Sequence, residues 1–378
     1  MSKRPEQLWL PDQQGRFLES DPATDVIMEL SEKIQKILDK ESLLYDEDST
    51  EVEIRETEVT DERGEKVNMK VLVVQGEDDL DGSGMTLIQP PAWTDGPDTK
   101  GALRSAVTLS VMTGCTIMIP LLPGMGAVGA DKNDGTRLTS LQNQSLGKGS
   151  YAEVAKMQWL AMKRVASEEL GTGKHSNQEV AFFGYSLGNP QNAALLAEIS
   201  ENIDVVGAIW AENPDIGLSR IPALELGDLA LRLKKSEKSP DLYGQINNIA
   251  NSCDPIQYPK LDWKRNSERE FYEMLLRDKQ TLRKGPEAVA RKSVEHDLNT
   301  AREREILKQF GHLIISAGNR STTLNGSRIL STMVGERNII GRVKYRGEDH
   351  AMNDSLAMKV IMVREFLKRT GTNQATIS

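Results

Sequence analysis

The sequence predicts a three-layer α/β architecture: a mostly parallel sheet with an antiparallel N-terminal edge, helices on both faces, and a helical insertion. Three observations predict it. Between residues 100 and 213 short apolar runs alternate with helical patterns, and strands apolar on both sides need a helical layer on each face. Ahead of them, "TEVEIRETEV" and "KVNMKVLVVQ" alternate polar and apolar residues around the turn "DERGE", the pattern of paired strands with one wet face. The strand–helix rhythm then stops near Pro214, gives way to a long charged helical pattern, and resumes after Phe310.

The elements follow in order. "ATDVIMELSEKIQKILDKESLL" repeats Val26, Ile27, Leu30, Ile34, Ile37 and Leu38 at helical spacing, which predicts one amphipathic helix packed on the main body. Residues 1–49 are therefore read as an N-terminal helical arm. The alternating pair comes next, then the acidic turn "GEDDLDGSG" and the strand "MTLIQ", read as a third member of the antiparallel edge. "TKGALRSAVTLSVMTG" predicts a helix, "CTIMIPLL" a buried strand and "YAEVAKMQWLAMKRVASEEL" a second helix. "QEVAFFGYS" predicts a strand, "PQNAALLAEIS" its helix, and "DVVGAIWAEN" a further strand. "HLIISAG" and "IGRVKY" resume the sheet and "LAMKVIMVREFLKR" closes it. The core is thus assigned to 50–213 and 311–372, with 214–310 as a helical cap or lid. Right-handed crossovers place the C-terminal ends of the parallel strands on one rim.

Composition narrows the function classes. The 378 residues carry a formal net charge of -9, with 38% hydrophobic and 27% charged residues, the balance of a folded, soluble chain. An acidic surface repels phosphate backbones and anionic headgroups, which argues against nucleic-acid and membrane-surface binding. No stretch approaches the roughly 18 apolar residues of a membrane helix, and "MSKRPEQLWLPDQQGR" lacks an apolar signal core, so the expected setting is the cytoplasm. The acidic run "YDEDSTEVEIRETEVTDERGE" reads as a solvated surface. Cys115 and Cys253 make no disulfide framework, and Cys115 within "MTGCTIMIP" reads as a buried, inert thiol. No His-x-x-x-His or Cys-x-x-Cys spacing offers a metal site, and "GSGMT" lacks the remaining glycine and lysine of a nucleotide loop, so no cofactor is expected.

The chemistry concentrates in "VAFFGYSLGNPQNAALLAE", residues 180–198. An apolar strand ends at Gly-Tyr-Ser-Leu-Gly and an alanine-rich helix starts at once. Glycines at 184 and 188 leave out Cβ atoms that would collide with neighbouring elements if Ser186 sits on a sharp turn. The Ser186 hydroxyl then stands at the amino end of a helix, where the Leu187 N–H and the helix dipole favour a developing negative charge. A serine hydroxyl needs a base, and the chain has four histidines. His175 lies in a polar loop on the far rim, His296 in the charged insertion, and His312 at the start of a strand. His350, in "YRGEDHAMND", follows the last strand and precedes the last helix, which puts it on the rim of Ser186.

These residues carry a resemblance. "GYSLG" resembles the nucleophile elbow of the α/β-hydrolase superfamily, "GEDHAM" its histidine loop, and "LLPGMG" at 121–126 its Pro-Gly-x-Gly bend, over roughly residues 50–370. The resemblance implies that fold and an esterase- or lipase-like Ser-His-acid triad, with no particular substrate. Many members carry the acid past the strand here written "HLIISAG", yet "SAGNRSTTLNGS" holds no carboxylate. Other members place it one strand earlier, where "GAIWAENPD" offers Glu212 at the strand end and Asp215 three residues on. Glu212 is the preferred acid and Asp215 the alternative, with Asn319 the remaining polar candidate. The resemblance also implies an oxyanion donor in the loop "IQPPAWTDG", where the family has His-Gly and this chain has Pro90-Pro91. Proline has no N–H, so the donor falls to Ala92 or Trp93 beside Leu187. Trp93 and Trp210 otherwise read as core aromatics.

A nucleophilic serine implies acyl transfer through an acyl-enzyme that water clears. The expected partner is a small-molecule ester, with thioester or amide as related bonds. The cap narrows the pocket or serves self-association through "EREFYEMLLRDK", a contact for a homo-oligomer. The contrary reading is a hydrolase fold kept without activity as a binding, structural or assembly module. The absent carboxylate, the two prolines and the polar insertion speak for it.

Overall fold

The computed structural model describes residues 18–20, 52–76, 80–91, 100–121, 138–148, 150–169, 179–185, 188–198, 204–212, 310–317, 330, 334–345 and 356–371, with helical positions between 26 and 36. The expected cap at 214–310, with Cys253 and His296, lies outside the described residues except for Phe310.

Strands β1 (Leu18–Ser20), β2 (Val52–Thr60), β3 (Lys66–Val74), β4 (Met85–Ile88), β5 (Thr116–Pro120), β6 (Glu179–Tyr185), β7 (Val205–Ala211), β8 (Gly311–Ala317) and β9 (Ile339–Tyr345) form one sheet. Helices α1 (Lys100–Thr113), α2 (Ser140–Gly147), α3 (Ala152–Glu169), α4 (Gly188–Glu198) and α5 (Leu356–Thr370) cover it. The spatial order is β1-β9-β8-β7-β6-β4-β5-β3-β2. β2 and β3 pair antiparallel, as does β3 with β5, and the remaining pairs are parallel.

The antiparallel edge forms where the sequence alternates. Val67 and Met69 are buried while Lys66 and Asn68 are exposed, and from Val71 onward β3 is buried throughout as it enters the sheet. The β2–β3 turn closes on Asp61, whose carboxylate accepts the N–H groups of Arg63 at 2.8 Å and Glu65 at 2.9 Å. "MTLIQ" departs from expectation. β4 lies parallel between β5 and β6 and takes no part in the antiparallel edge. All of its residues are buried, and a strand apolar toward both faces belongs inside a sheet. β2, with Ile54, Arg55 and Glu56 exposed, can bear an open edge.

Alternation within the central strands divides the core into two layers. Phe182, Trp210 and Ile314 pack with α2, α3 and α4 on one face. Phe183, Ile209 and Ile315 pack with α1 and α5 on the other, joined by Leu30 and Ile34 of the N-terminal helical segment. Val26 is 47% exposed and lies off that packed face. Full burial of each large apolar side chain contributes about 1.5–3 kcal/mol, so the two layers hold the central strands rigidly.

Among the described elements, β1 and α2 are absent from the sequence reading. β1 pairs with β9 from within the stretch read as a helical arm, and three residues are too few to show a period. Helix α2 has no apolar stripe, but Thr139 and Gln142 cap it reciprocally: Thr139 N–H donates to Gln142 Oε1 at 2.8 Å, and Gln142 N–H donates to the Thr139 hydroxyl at 3.2 Å. "TSLQ" carries that signature in the sequence. Cys115 is fully buried just ahead of β5, and burial pushes its thiol up to about 11, as its inert reading requires. Among the described residues no helix is long and apolar enough to cross a membrane.

Candidate active site

Parallel pairing brings the C-terminal ends of β4, β6, β7, β8 and β9 to one rim. Ile88 pairs with Phe182, Tyr185 with Ala211, Ala211 with Ile315, and Ala317 with Tyr345. On this rim β6 ends at Tyr185 and α4 begins at Gly188, with two residues of sequence between them. Those two are Ser186 and Leu187, which lie outside the described residues.

The glycines on either side are dictated by their neighbours. A Cβ on Gly184 meets the Asn189 Oδ1, stands 2.5 Å from Asn192 Nδ2 and 3.1 Å from the Asn189 Cα. A Cβ on Gly188 stands 2.9 Å from the Pro90 oxygen. Gly184 thus lets α4 approach its own strand, and Gly188 lets the loop after β4 approach α4. Asn189 cannot simply swing aside, because its Nδ2 donates to the Ala211 oxygen at 2.8 Å in a fully buried setting. Gly184→Ala is expected to lower the urea midpoint by an amount equivalent to about 1–3 kcal/mol. An unchanged midpoint would show that the contact is not constraining.

That Asn189 bond reaches the strand carrying the preferred acid. Glu212 follows Ala211 immediately, is fully buried, and has a left-handed backbone with φ 50°. Its N–H donates to the Ile315 oxygen at 3.0 Å. The turn at the end of β7 is therefore tied to α4 on one side and to β8 on the other. A non-glycine residue at positive φ costs about 1–3 kcal/mol and marks a backbone that its surroundings over-determine.

The loop after β4 is tied in as well. Gln89 N–H donates to the Met118 oxygen at 2.9 Å, and the Pro91 oxygen accepts from Gln191 Nε2 of α4 at 2.9 Å. Gln158 Nε2 of α3 donates to Gln191 Oε1 at 2.9 Å and to the Leu121 oxygen at 3.2 Å. Asn189, Gln191 and Gln158 are absent from the sequence reading. The signal for the first two was a polar first turn, "GNPQN", on a helix that is otherwise apolar and wholly buried through Ala197.

His312 sits at the opposite end of the sheet. It is the second residue of β8, paired with Ala208, and fully buried. Its Nδ1 accepts the Trp210 Nε1–H at 3.1 Å, and its ring centroid lies 4.8 Å from that of Phe310. Trp210 is accordingly a core aromatic. The candidates Ala92, Trp93, Asp215, Asn319, His175 and His350, and residues 122–126 of the "LLPGMG" bend, lie outside the described residues.

One antiparallel edge, a parallel series in which β4 follows β5 in space, and closely packed glycines at the end of β6 and the start of α4 together decide the architecture. This is the α/β-hydrolase fold. No family model and no curated protein matches the chain. Among solved structures it is similar to a highly thermostable carboxyl esterase from Bacillus coagulans, at 10% identity over 83% of this chain and 97% of that one, with a TM-score of 0.47. It is also similar to carboxyl esterase 2 of the mycorrhizal fungus Tuber melanosporum, at 12% identity over 86% and 88% with a TM-score of 0.44. An esterase of Pyrococcus furiosus is 15% identical over 84% and 93%, with a TM-score of 0.43. In this chain the loop after β4, the first turn of α4 and the end of β7 are hydrogen-bonded into a single unit.

Proposed function

We propose that the chain is a serine hydrolase cleaving carboxylic-ester or related acyl bonds, with Ser186 as nucleophile, His350 as base and Glu212 as acid. One observation carries the reading: the first turn of α4, which opens two residues after β6 ends, is tied through the Asn189–Ala211 bond to the end of β7, directly before the buried Glu212. Chain reach supports the histidine. β9 stands three strands from β6, about 14 Å at the usual strand spacing, and His350 follows Tyr345 by five residues, which span up to about 17 Å.

In this reading His350 takes the proton of Ser186 as its Oγ attacks the acyl carbon, and the carbonyl electron pair becomes an oxyanion. N–H groups of Leu187 and of Ala92 or Trp93 hold that charge. Collapse expels the alkoxide, which takes the proton from His350, and water repeats the sequence on the acyl-enzyme. Glu212 holds the imidazole tautomer and stabilises imidazolium. β7 ends at the rim at Ala211, and residues 214–310 come next in the sequence, which supports the assignment of this stretch as a cap over a small-molecule pocket.

The loop after β4 gives the rival reading its one observation: Pro90 and Pro91 can donate nothing at the point nearest α4. A fluorophosphonate probe separates the two. Labelling of the wild type and its loss in Ser186→Ala support the hydrolase. A folded wild type that takes up no probe supports an inactive binding or assembly module.

A further inference from the structure

We propose that Gln191, held in turn by Gln158, is a positioning residue for the oxyanion donor of the loop after β4; this rests on the hydrolase reading above. After Gln89 the loop has no N–H until Ala92, because Pro90 and Pro91 carry none. The Ala92 N–H belongs to the same peptide unit as the Pro91 oxygen. A trans peptide is planar and points its C=O and N–H in opposite directions. Whatever fixes the Pro91 oxygen therefore aims the next N–H. Gln191 Nε2 does so at 2.9 Å, from the helix that directly follows Ser186. The donor of the loop and the amino end of α4 are thus referred to one another by a single bond, and a bond accepted at the C=O also polarises the N–H of that unit.

The bond needs its amide the right way round. With Oε1 turned toward the Pro91 oxygen, Gln191 would repel it. Gln158 prevents this by spending its amide hydrogens on Gln191 Oε1 and on the Leu121 oxygen. Both glutamines are fully buried, and Gln158 Oε1 has no hydrogen-bond partner among the described residues. A buried acceptor left unmatched lowers stability, and an apolar pair of similar volume would avoid that cost. A pair that costs stability while fixing one loop oxygen is suited to aiming a donor rather than to holding the core.

The test uses Gln191→Met, which keeps the length of the side chain and removes its donor. With a p-nitrophenyl ester, kcat is expected to fall about 10- to 100-fold while KM stays nearly unchanged. The inhibition constant of a trifluoromethyl ketone, whose adduct carries an oxyanion, is expected to rise by the factor that kcat/KM falls. Gln158→Leu, further from the loop, should shift the same two quantities in the same direction by less, and it serves if Gln191→Met does not fold. A loss confined to thermal stability, with kcat and the inhibition constant unmoved, overturns the proposal. Hydrogen exchange of a peptide covering residues 86–95 separates the two layers. If the wild type neither labels nor hydrolyses, the hydrolase reading falls. Faster exchange in Gln191→Met then still upholds the tether, and unchanged exchange sinks it too.

Discussion

On the proposed hydrolase reading, replacing His350 by Ala is expected to lower kcat for an activated ester by about 10⁶-fold, close to the loss from removing the serine itself, because a nucleophile and its base act as a unit. The thermal midpoint should stay near that of the wild type. His312→Phe should give the opposite pair of results, with ester cleavage retained and stability reduced by about 1–3 kcal/mol, as the buried Trp210 N–H loses its acceptor. The contrast follows from position along the strands. His312 stands near the start of β8, five residues before its end at Ala317, about 17 Å from the rim at the usual rise. An imidazole already committed through Nδ1 to Trp210 is a core group. Steady-state kinetics and urea unfolding of both variants check this. Should His312→Phe abolish turnover while His350→Ala leaves it intact, the base has been misassigned and the rim is not the site.

Much of this was legible in the sequence, for reasons that can be named. The central strands β5 to β8 are short apolar runs with no competing period, and GYSLG sits where strand pattern gives way to helix pattern. Local rules therefore agree with the fold at the point that matters most. Pairing partners were less legible. β4 is as apolar as a strand can be, but nothing in four residues says whether its neighbour runs parallel or antiparallel. Its place between β5 and β6 is set by crossover connections that a linear reading does not contain. The supporting amides were hidden for a related reason. Gln158 lies on a helix of mixed polarity, where a polar residue is expected to face solvent, and only tertiary contact turns it inward to Leu121 and Gln191. Residues acting through chemistry of their own leave a mark in sequence. Residues acting by holding others leave almost none.

Glu212→Gln is expected to lower kcat by about 10⁴-fold, because an amide no longer fixes the imidazole tautomer or stabilises imidazolium. KM, fold and thermal midpoint should be nearly unaltered, since the amide has the same shape and both backbone ties remain, Asn189 to the Ala211 oxygen and Glu212 N–H to the Ile315 oxygen. Asp215→Asn should be mild, and the reverse outcome would move the acid to Asp215. The choice of Glu212 rests on its backbone and on its place at the end of β7. At φ 50° glycine is the residue that suffers no steric penalty, so glutamate gives up stability through its backbone. A purely structural turn at the end of β7 would be better built with glycine or asparagine. A carboxyl group kept there, directly past the end of the strand beside β6 and next to the Ala211 oxygen that α4 holds, fits the proposed group whose charge is needed when its neighbour becomes a cation.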